Sequence, residues 1–332
     1  MLVDALRQTW PPFVLVTGLL LIGLVAAEDG LFAAVGGRIA RARLAPVPLL
    51  LALLALVAVV TAVLNLDTAV VFLTPVLVHA ARTRGLDERP FLYGSVFMAN
   101  TGSTLLPGSN LTNLLVLAHE PIHGTAFVSH TAYAWLVACA LTAGLIALLL
   151  RPRPSASEPQ EVPPLRLSVG VVATVVAAAL VVALDDPALP VLAVGIAACA
   201  VRRLPPRIDL RIPAVLFVVA VALGTLARAW HAPAHLLAGT DRWLTATIAA
   251  AGSVVVNNLP AAVLFSAQRP PHPVALLLGL NLGPNLAVTG SLSAVLWWQA
   301  ARSVGARPSI VLYSALGLVV VPITLAAAIA VS

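Results

Sequence analysis

The sequence predicts an all-α integral membrane fold made of two inverted repeats, each with a re-entrant hairpin and a broken helix. Three observations predict it. The 332 residues are 60% hydrophobic and 10% charged, with a mean hydropathy of +1.01, whereas soluble domains carry about 25% charged residues. A polar Gly/Pro stretch, Met98 to Leu115 (MANTGSTLLPGSNLTNLL), interrupts an apolar run. A second, Leu280 to Trp297 (LNLGPNLAVTGSLSAVLW), repeats the break and its Thr-Gly-Ser triplet near the other end. Unpaired backbone is so costly in hydrocarbon that a broken helix survives only where protein or a watery cavity surrounds it. Breaks of this kind mark binding sites in membrane proteins.

Taken in order, Phe13 to Ala27 is the first apolar run and ends at Glu28-Asp29-Gly30. Leu31 to Arg43 mixes apolar residues with Arg38, Arg41 and Arg43, as an interfacial helix does. Pro46 to Leu64 and Ala69 to Ala81 are unequal arms with Arg beyond both outer ends, which predicts a re-entrant hairpin with the polar tip Asn65 to Thr68. The first broken helix follows, its halves lying on either side of Gly102 to Ser109, and Ala132 to Leu150 closes the first repeat, residues 1–150. Residues 151–165 form a polar, Pro-rich cytoplasmic linker. The second repeat, residues 166–332, holds spans at Leu167 to Leu184, Ala188 to Val201 and Pro213 to Ala229. A hairpin from Trp243 to Ala267 with its tip at Asn257 to Pro260 comes next, then the broken helix Val274 to Ala301 and the closing span Ile310 to Val331. Asp4 precedes Arg7 and no small-residue cleavage site follows the first run, so no cleavable signal peptide is expected.

The formal net charge of +6 resides in arginines in short loops, which reports membrane orientation rather than nucleic-acid binding. With hairpins that do not cross, Arg38, Arg41, Arg43, Arg82, Arg84, Arg89, Arg151, Arg153, Arg166, Arg202, Arg203, Arg207, Arg211, Arg302 and Arg307 fall on one side. Arg7, Arg228, Arg242 and Arg269 fall on the other. This bias makes the first side cytoplasmic, with about eight crossings of a bacterial-type inner membrane and both termini external. Opposed repeats around two broken helices are the architecture of secondary transporters, with the site at mid-depth between them.

Several classes of chemistry are not expected. Cys139 and Cys199 lie in apolar segments without a partner at metal-ligand spacing, and His119, His123 and His130 read as an exposed loop beside Glu120. No Gly-rich phosphate loop, nucleophile elbow or HExxH pattern is present, so catalysis is not expected. Trp297 and Trp298 fit an interfacial aromatic belt.

Asp67 is the acid placed deep in the bilayer, where a carboxylate costs roughly 2.5–3.5 kcal/mol. It is the expected proton-coupling residue. Asn65, Thr68, Thr101, Gly102, Ser103, Ser109, Asn110 and Asn113 in the first half supply neutral donors, acceptors and freed backbone for a substrate or ion. Asn257, Asn258, Asn281, Asn285, Thr289, Gly290 and Ser291 supply them from the second. Some of these side chains are expected only to satisfy broken backbone. No Arg or Lys lies near either break, so a permanently dianionic substrate would lack a cationic clamp apart from helix dipoles or a bound cation. No cofactor is expected, a bound sodium ion being the one such species the polar stretches admit.

At these residues the chain resembles the arsenite/antimonite efflux permeases (ArsB-like) of the ion-transporter superfamily. The motifs are EDGLF at Glu28 to Phe32, NLDTAVVFLTPV at Asn65 to Val76, ANTGSTLLPGSNLTNLL at Ala99 to Leu115, NNLPA at Asn257 to Ala261 and NLGPNLAVTGSLSAVLW at Asn281 to Trp297. The resemblance implies export of a small oxyacid such as arsenite or antimonite in exchange for protons. It also implies a mobile transport domain of hairpins and broken helices moving as an elevator, in a homodimer. The alternative within the superfamily is a sodium- or proton-coupled carrier of a dicarboxylate or inorganic anion, or a sodium/proton antiporter. The chain departs from the family at Asn100 and Asn281, where aspartates are usual, and at Asn285, where a lysine is usual.

Overall fold

The computed structural model describes residues 2–118, 124–155, 168–184, 186–205, 217–223, 225–226 and 232–332. Among them every regular element is helical, with one isolated bridge between Leu86 and Pro154. His119, Glu120 and His123, most of the linker and about half of the expected span Pro213 to Ala229 lie outside the described residues.

The first helix, α1 (Leu2–Glu28), has 27 residues and is longer than its apolar run suggests. After Gly30, whose φ of 76° suits a residue without Cβ, α2 (Leu31–Arg41) buries Phe32, Ala34, Gly36, Gly37 and Ala40. Its Arg38 and Arg41 remain exposed, as an interfacial helix requires.

The first hairpin consists of α3 (Pro46–Val63) and α4 (Leu66–Thr83), each of 18 residues. The Arg84 guanidinium donates to the carbonyls of Ala40, Ala42 and Leu44 at 2.8, 2.9 and 2.8 Å, so α4 ends beside the start of α3 and both arms open to one end. The arms are therefore equal, not unequal as the sequence suggests. The reason lies at the tip, where the Thr68 N–H donates to Asn65 Oδ1 at 2.6 Å. This cap starts α4 at Leu66, leaving only Leu64 and Asn65 as the turn and placing Asp67 and Thr68 in the first helical turn.

The first broken helix comprises α5 (Arg89–Gly102), a 3₁₀ turn (Pro107–Ser109) and α6 (Leu111–Leu117). Then come α7 (Gly124–Leu150), α8 (Val169–Ala183) and α9 (Ala188–Arg202). The second hairpin is α10 (Arg242–Val256) and α11 (Asn258–Phe265), with Asn257 alone as its tip. The expected tip residues Asn258 to Pro260 are already helical because Asn257 Oδ1 accepts from the Leu259 N–H. The second broken helix is α12 (Pro273–Leu282), 3₁₀ turns at Gly283–Leu286 and Val288–Gly290, and α13 (Leu292–Ser303). The last helix, α14 (Ile310–Ala330), completes the fold. Four helical segments among the described residues are long and apolar enough to cross a membrane: Trp10–Glu28, Pro46–Val63, Ala126–Leu150 and Ile310–Ala330.

The two hairpins open at opposite ends of the molecule. At the arginine-rich end, Arg82 pairs with Glu88 at 2.6 Å and donates to the Val304 carbonyl at 2.7 Å. Beside it the Ser309 N–H, just before α14, donates to the Tyr93 hydroxyl at 2.7 Å. The far end of α14 meets the start of the second hairpin, where Arg242 donates to the Ser332 carbonyl at 3.2 Å. Between them run the 21 residues of α14, about 31 Å of helix. This is the geometry of an inverted repeat.

The repeat extends to individual residues. Gly102 ends α5 against α3, where an added Cβ would stand 3.0 Å from Ala58 Cα and 3.3 Å from Thr61 Cβ. Gly283 follows α12 against α10, where it would stand 2.6 Å from Ala250 Cα and 2.5 Å from Ser253 Oγ. Ala58, Thr61 and Asn65 share the spacing of Ala250, Ser253 and Asn257. In each half, a glycine therefore lets the break seat on the first arm of its own hairpin.

Trp297 does not lie in an interfacial belt. It is 0% exposed, stands between Tyr93 and Tyr313 with ring centroids 5.4 and 5.5 Å away, and its Nε1–H donates to the Leu92 carbonyl at 2.9 Å. A satisfied N–H allows an indole to sit in the core.

Candidate functional site

α5 and α12 enter from opposite ends, and their polar ends meet. Asn100 Nδ2 donates to Asn285 Oδ1 at 2.7 Å, while Asn285 Nδ2 donates to the Phe97 carbonyl at 3.2 Å. Asn281 is the hub. Its Oδ1 accepts from Ser103 Oγ at 2.7 Å and from Asn110 Nδ2. Its Nδ2 donates to Asn113 Oδ1 at 2.7 Å and to the Leu277 carbonyl at 2.8 Å.

Broken backbone accounts for most remaining contacts. Asn113 Nδ2 donates to the Ser103 and Leu106 carbonyls at 2.8 and 3.2 Å, and Ser109 Oγ donates to the same two carbonyls. Asn110 caps α6 by accepting from the Thr112 N–H at 3.1 Å, and Ser291 caps α13 by accepting from the Ala294 N–H at 3.3 Å. Tyr313 OH reaches the Pro284 carbonyl at 3.1 Å.

The expected site residues thus divide. Ser103, Asn110, Asn113, Asn281 and Asn285 join the two halves. Thr101 faces away from them, sharing a hydrogen bond with Thr142 of α7 at 3.1 Å. Gly102 presents its carbonyl to Trp135 Nε1–H at 3.1 Å, and Gly290 packs on Pro284. Asn257, at φ 77°, donates to the Thr289 carbonyl at 3.0 Å and ties the second hairpin to the second break. Asn258 is 5% exposed at the start of α11. Asn65 and Thr68 form the first hairpin tip.

Asp67 crosses between the repeats as well, since its Oδ1 accepts from Ser293 Oγ at 2.7 Å. It lies in the first turn of α4 and Ser293 in the first turn of α13. A carboxylate there faces the positive end of its own helix. Two partners, Asn100 and Ser293, are not among the expected site residues. Ser293 sits two residues beyond a cap, and Asn100 has a signal, since Asn-x-Gly ends the first half of both broken helices.

A cleft of about 900 Å³ lies elsewhere, between the end of α1, the start of α8 and the end of α9, around Glu28, Asp29, Ser168 and Arg202. There Arg202 pairs with Asp29 at 2.6 Å and the Gly170 N–H donates to Asp29 at 2.7 Å. It is remote from the breaks, which meet through direct side-chain contacts.

Comparison with known proteins gives three findings. Residues 5–281 match the citrate transporter family CitMHS. Two uncharacterized transporters of Mycobacterium tuberculosis, from strains CDC 1551 and H37Rv, are each 28% identical over 142 residues, 42% of this chain and 33% of the relative. The chain thus spans about a third of the length of these curated relatives. The crystal structure of the YdaH transporter of Alcanivorax borkumensis, described as having an unusual topology, aligns over 99% of this chain and 86% of that one, with a TM-score of 0.58 and 15% identity. At that identity the likeness is one of fold.

Proposed function

The chain belongs to the CitMHS citrate transporter family, and on that premise we propose that it is a secondary active transporter exporting a small oxyacid such as arsenite or antimonite in exchange for protons. One observation carries the choice of substrate. The two breaks meet through amides and hydroxyls, and the side chains joining them include no arginine or lysine. A neutral junction between the breaks suits a ligand that is undissociated at neutral pH, whereas a polycarboxylate in a low-dielectric site calls for compensating positive charge. Asp67 is the proton carrier in this scheme. Its bond to Ser293 joins the first hairpin to the second broken helix, so a change in its charge acts on both repeats.

The second reading is a sodium- or proton-coupled carrier of citrate, another dicarboxylate-type anion or an inorganic anion, with a sodium/proton antiporter as its further variant. Family membership is what favours it. In either reading the hairpins and broken helices move together as an elevator within a homodimer in an inner membrane, arginine-rich end toward the cytoplasm and both termini external.

Everted vesicles carrying the full chain separate the two. With an imposed proton gradient, arsenite uptake is expected above that of empty vesicles, with citrate failing to compete. Gradient-independent arsenite entry, or citrate uptake in its place, would reject the oxyacid reading.

A further inference from the structure

The cleft of about 900 Å³ beside α1 is polar at one end and apolar along its length. Asp29, just after α1, pairs through Oδ1 with Arg202 at the end of α9, while its Oδ2 accepts from the Gly170 N–H in the first turn of α8. α8 and α9 are therefore antiparallel, and their polar ends meet where the apolar span Trp10–Glu28 stops. Away from that end the walls are valine. Val169, Val172 and Val176 lie three and four residues apart on α8, and Val194 and Val201 seven apart on α9, so each set follows one helix face. The step from Val169 to Val176 makes the trough about 10 Å long.

The walls are fixed by close backbone contact. A Cβ on Gly18 of α1 would stand 2.7 Å from the Leu192 nitrogen of α9, and one on Gly170 of α8 would stand 2.5 Å from Ala26 Cα of α1. The space between the three helices is thus preformed. It is also open among the described residues, since Val172, Val176 and Val201 are exposed by 52, 39 and 68%. Exposed valines are ordinary on a helix that faces lipid; a cluster of charges at the head of the trough is not.

The charges divide by task. Asp29 has both oxygens committed and a side chain only 2% exposed, so it holds α8 and α9 together rather than a ligand. Glu28 lines the cleft, exposed and without a partner among the described residues. Arg202 meets Asp29 through Nε and keeps 44% of its side chain exposed, and a guanidinium has more N–H donors than one carboxylate can accept. Two acids and one base repel a free dicarboxylate or an anionic head, whereas a head bearing both a phosphate and a primary ammonium complements Arg202 and Glu28 at once. A bare metal ion would find Glu28 as its one uncommitted acid, and no group of three ligating side chains exists among the described residues. Valine offers an acyl chain nothing that the bilayer does not already provide, so preference rests on the head. We propose that this cleft seats one amine-bearing phospholipid, such as a phosphatidylethanolamine. Its phosphate lies at Arg202, its ammonium at Glu28 and the start of an acyl chain in the valine trough. This occupant is independent of the transported substrate.

The test is thermal unfolding of the purified full chain in detergent micelles carrying dioleoyl phosphatidylethanolamine, phosphatidylcholine or phosphatidylglycerol. The first is expected to raise the melting temperature at the lowest mole fraction, because a quaternary ammonium has no N–H to donate and a glycerol head has no cation. In Glu28→Gln the phosphatidylethanolamine concentration that gives half the shift should rise about tenfold, the factor for a charged hydrogen bond at a partly exposed site. The melting temperature of that variant without lipid should equal that of wild type. Val172→Trp, which fills the trough and leaves every charge in place, should remove the shift. Equal shifts for the three lipids in wild type overturn the site, as does a larger one for phosphatidylglycerol or an undiminished one in Val172→Trp. So does a Glu28→Gln protein that keeps the preference, or that melts lower without lipid, since Glu28 would then have a protein partner. Glycerophosphoethanolamine, the same head without chains, is expected to be inert. A shift equal to that of the lipid would make the occupant a soluble phosphoamine and overturn the lipid.

Discussion

Asn281→Leu is expected to destabilise the folded protein by roughly 2–3 kcal/mol and to stop transport. Leucine keeps the branched outline of asparagine, with bulkier methyl ends, but ends four hydrogen bonds, to Ser103, Asn110, Asn113 and the Leu277 carbonyl. Hydrogen bonds between membrane helices average about 0.6 kcal/mol each, because the unfolded chain in lipid also finds partners. Four of them give the lower part of the range. The partners left behind raise it. Ser103 keeps its bond to the Asn100 carbonyl at 2.7 Å, but Asn113 Oδ1 and Asn110 Nδ2 lose the amide they share, and orphaned buried groups cost more than a lost bond. Thermal unfolding of purified protein measures the effect. A variant that melts like wild type would show that the amide is no lock.

Asp67→Asn is expected to reduce proton-driven flux to the level of empty vesicles while leaving the fold intact. An amide oxygen still accepts from Ser293 Oγ, now 2.7 Å from the carboxylate, so the loss is the difference between a charged and a neutral hydrogen bond, about 1 kcal/mol. What disappears, on the proton-coupled reading proposed above, is the group that would take up and release a proton. Substrate exchange without a gradient should therefore survive where gradient-driven uptake does not. Proton-driven flux at the wild-type rate would remove Asp67 from the coupling step.

Much of the architecture was legible in composition and punctuation. Gly-Pro breaks inside apolar runs, and the tips around Asn65 and Asn257, locate both hairpins and both broken helices. Side-chain assignments were less so, because adjacent residues of a helix face different neighbours. Thr101 and Ser103 belong to one triplet, but Thr101 turns to Thr142 and Ser103 to Asn281. The asparagines read as ligand donors prove to bond one another across the halves, a pairing that depends on tertiary contacts absent from a linear pattern. Trp297 fails for a related reason. Its pairing with Trp298 suits an aromatic belt, and only the Leu92 carbonyl shows that its N–H is satisfied in the core. At the hairpin tips, the caps made by Asn65 and Asn257 were present in the sequence as Asn-x-x-Thr and Asn-Asn-Leu, and they shorten both turns.

The contact between the two breaks can be tested most directly by a double-mutant cycle on Asn100 and Asn285, which share a hydrogen bond of 2.7 Å across the repeats. Unfolding free energies of Asn100→Ala, Asn285→Ala and the pair are predicted to reveal a coupling of about 0.6–1.7 kcal/mol. Additive losses, with no coupling beyond about 0.3 kcal/mol, would contradict the meeting of the two broken helices.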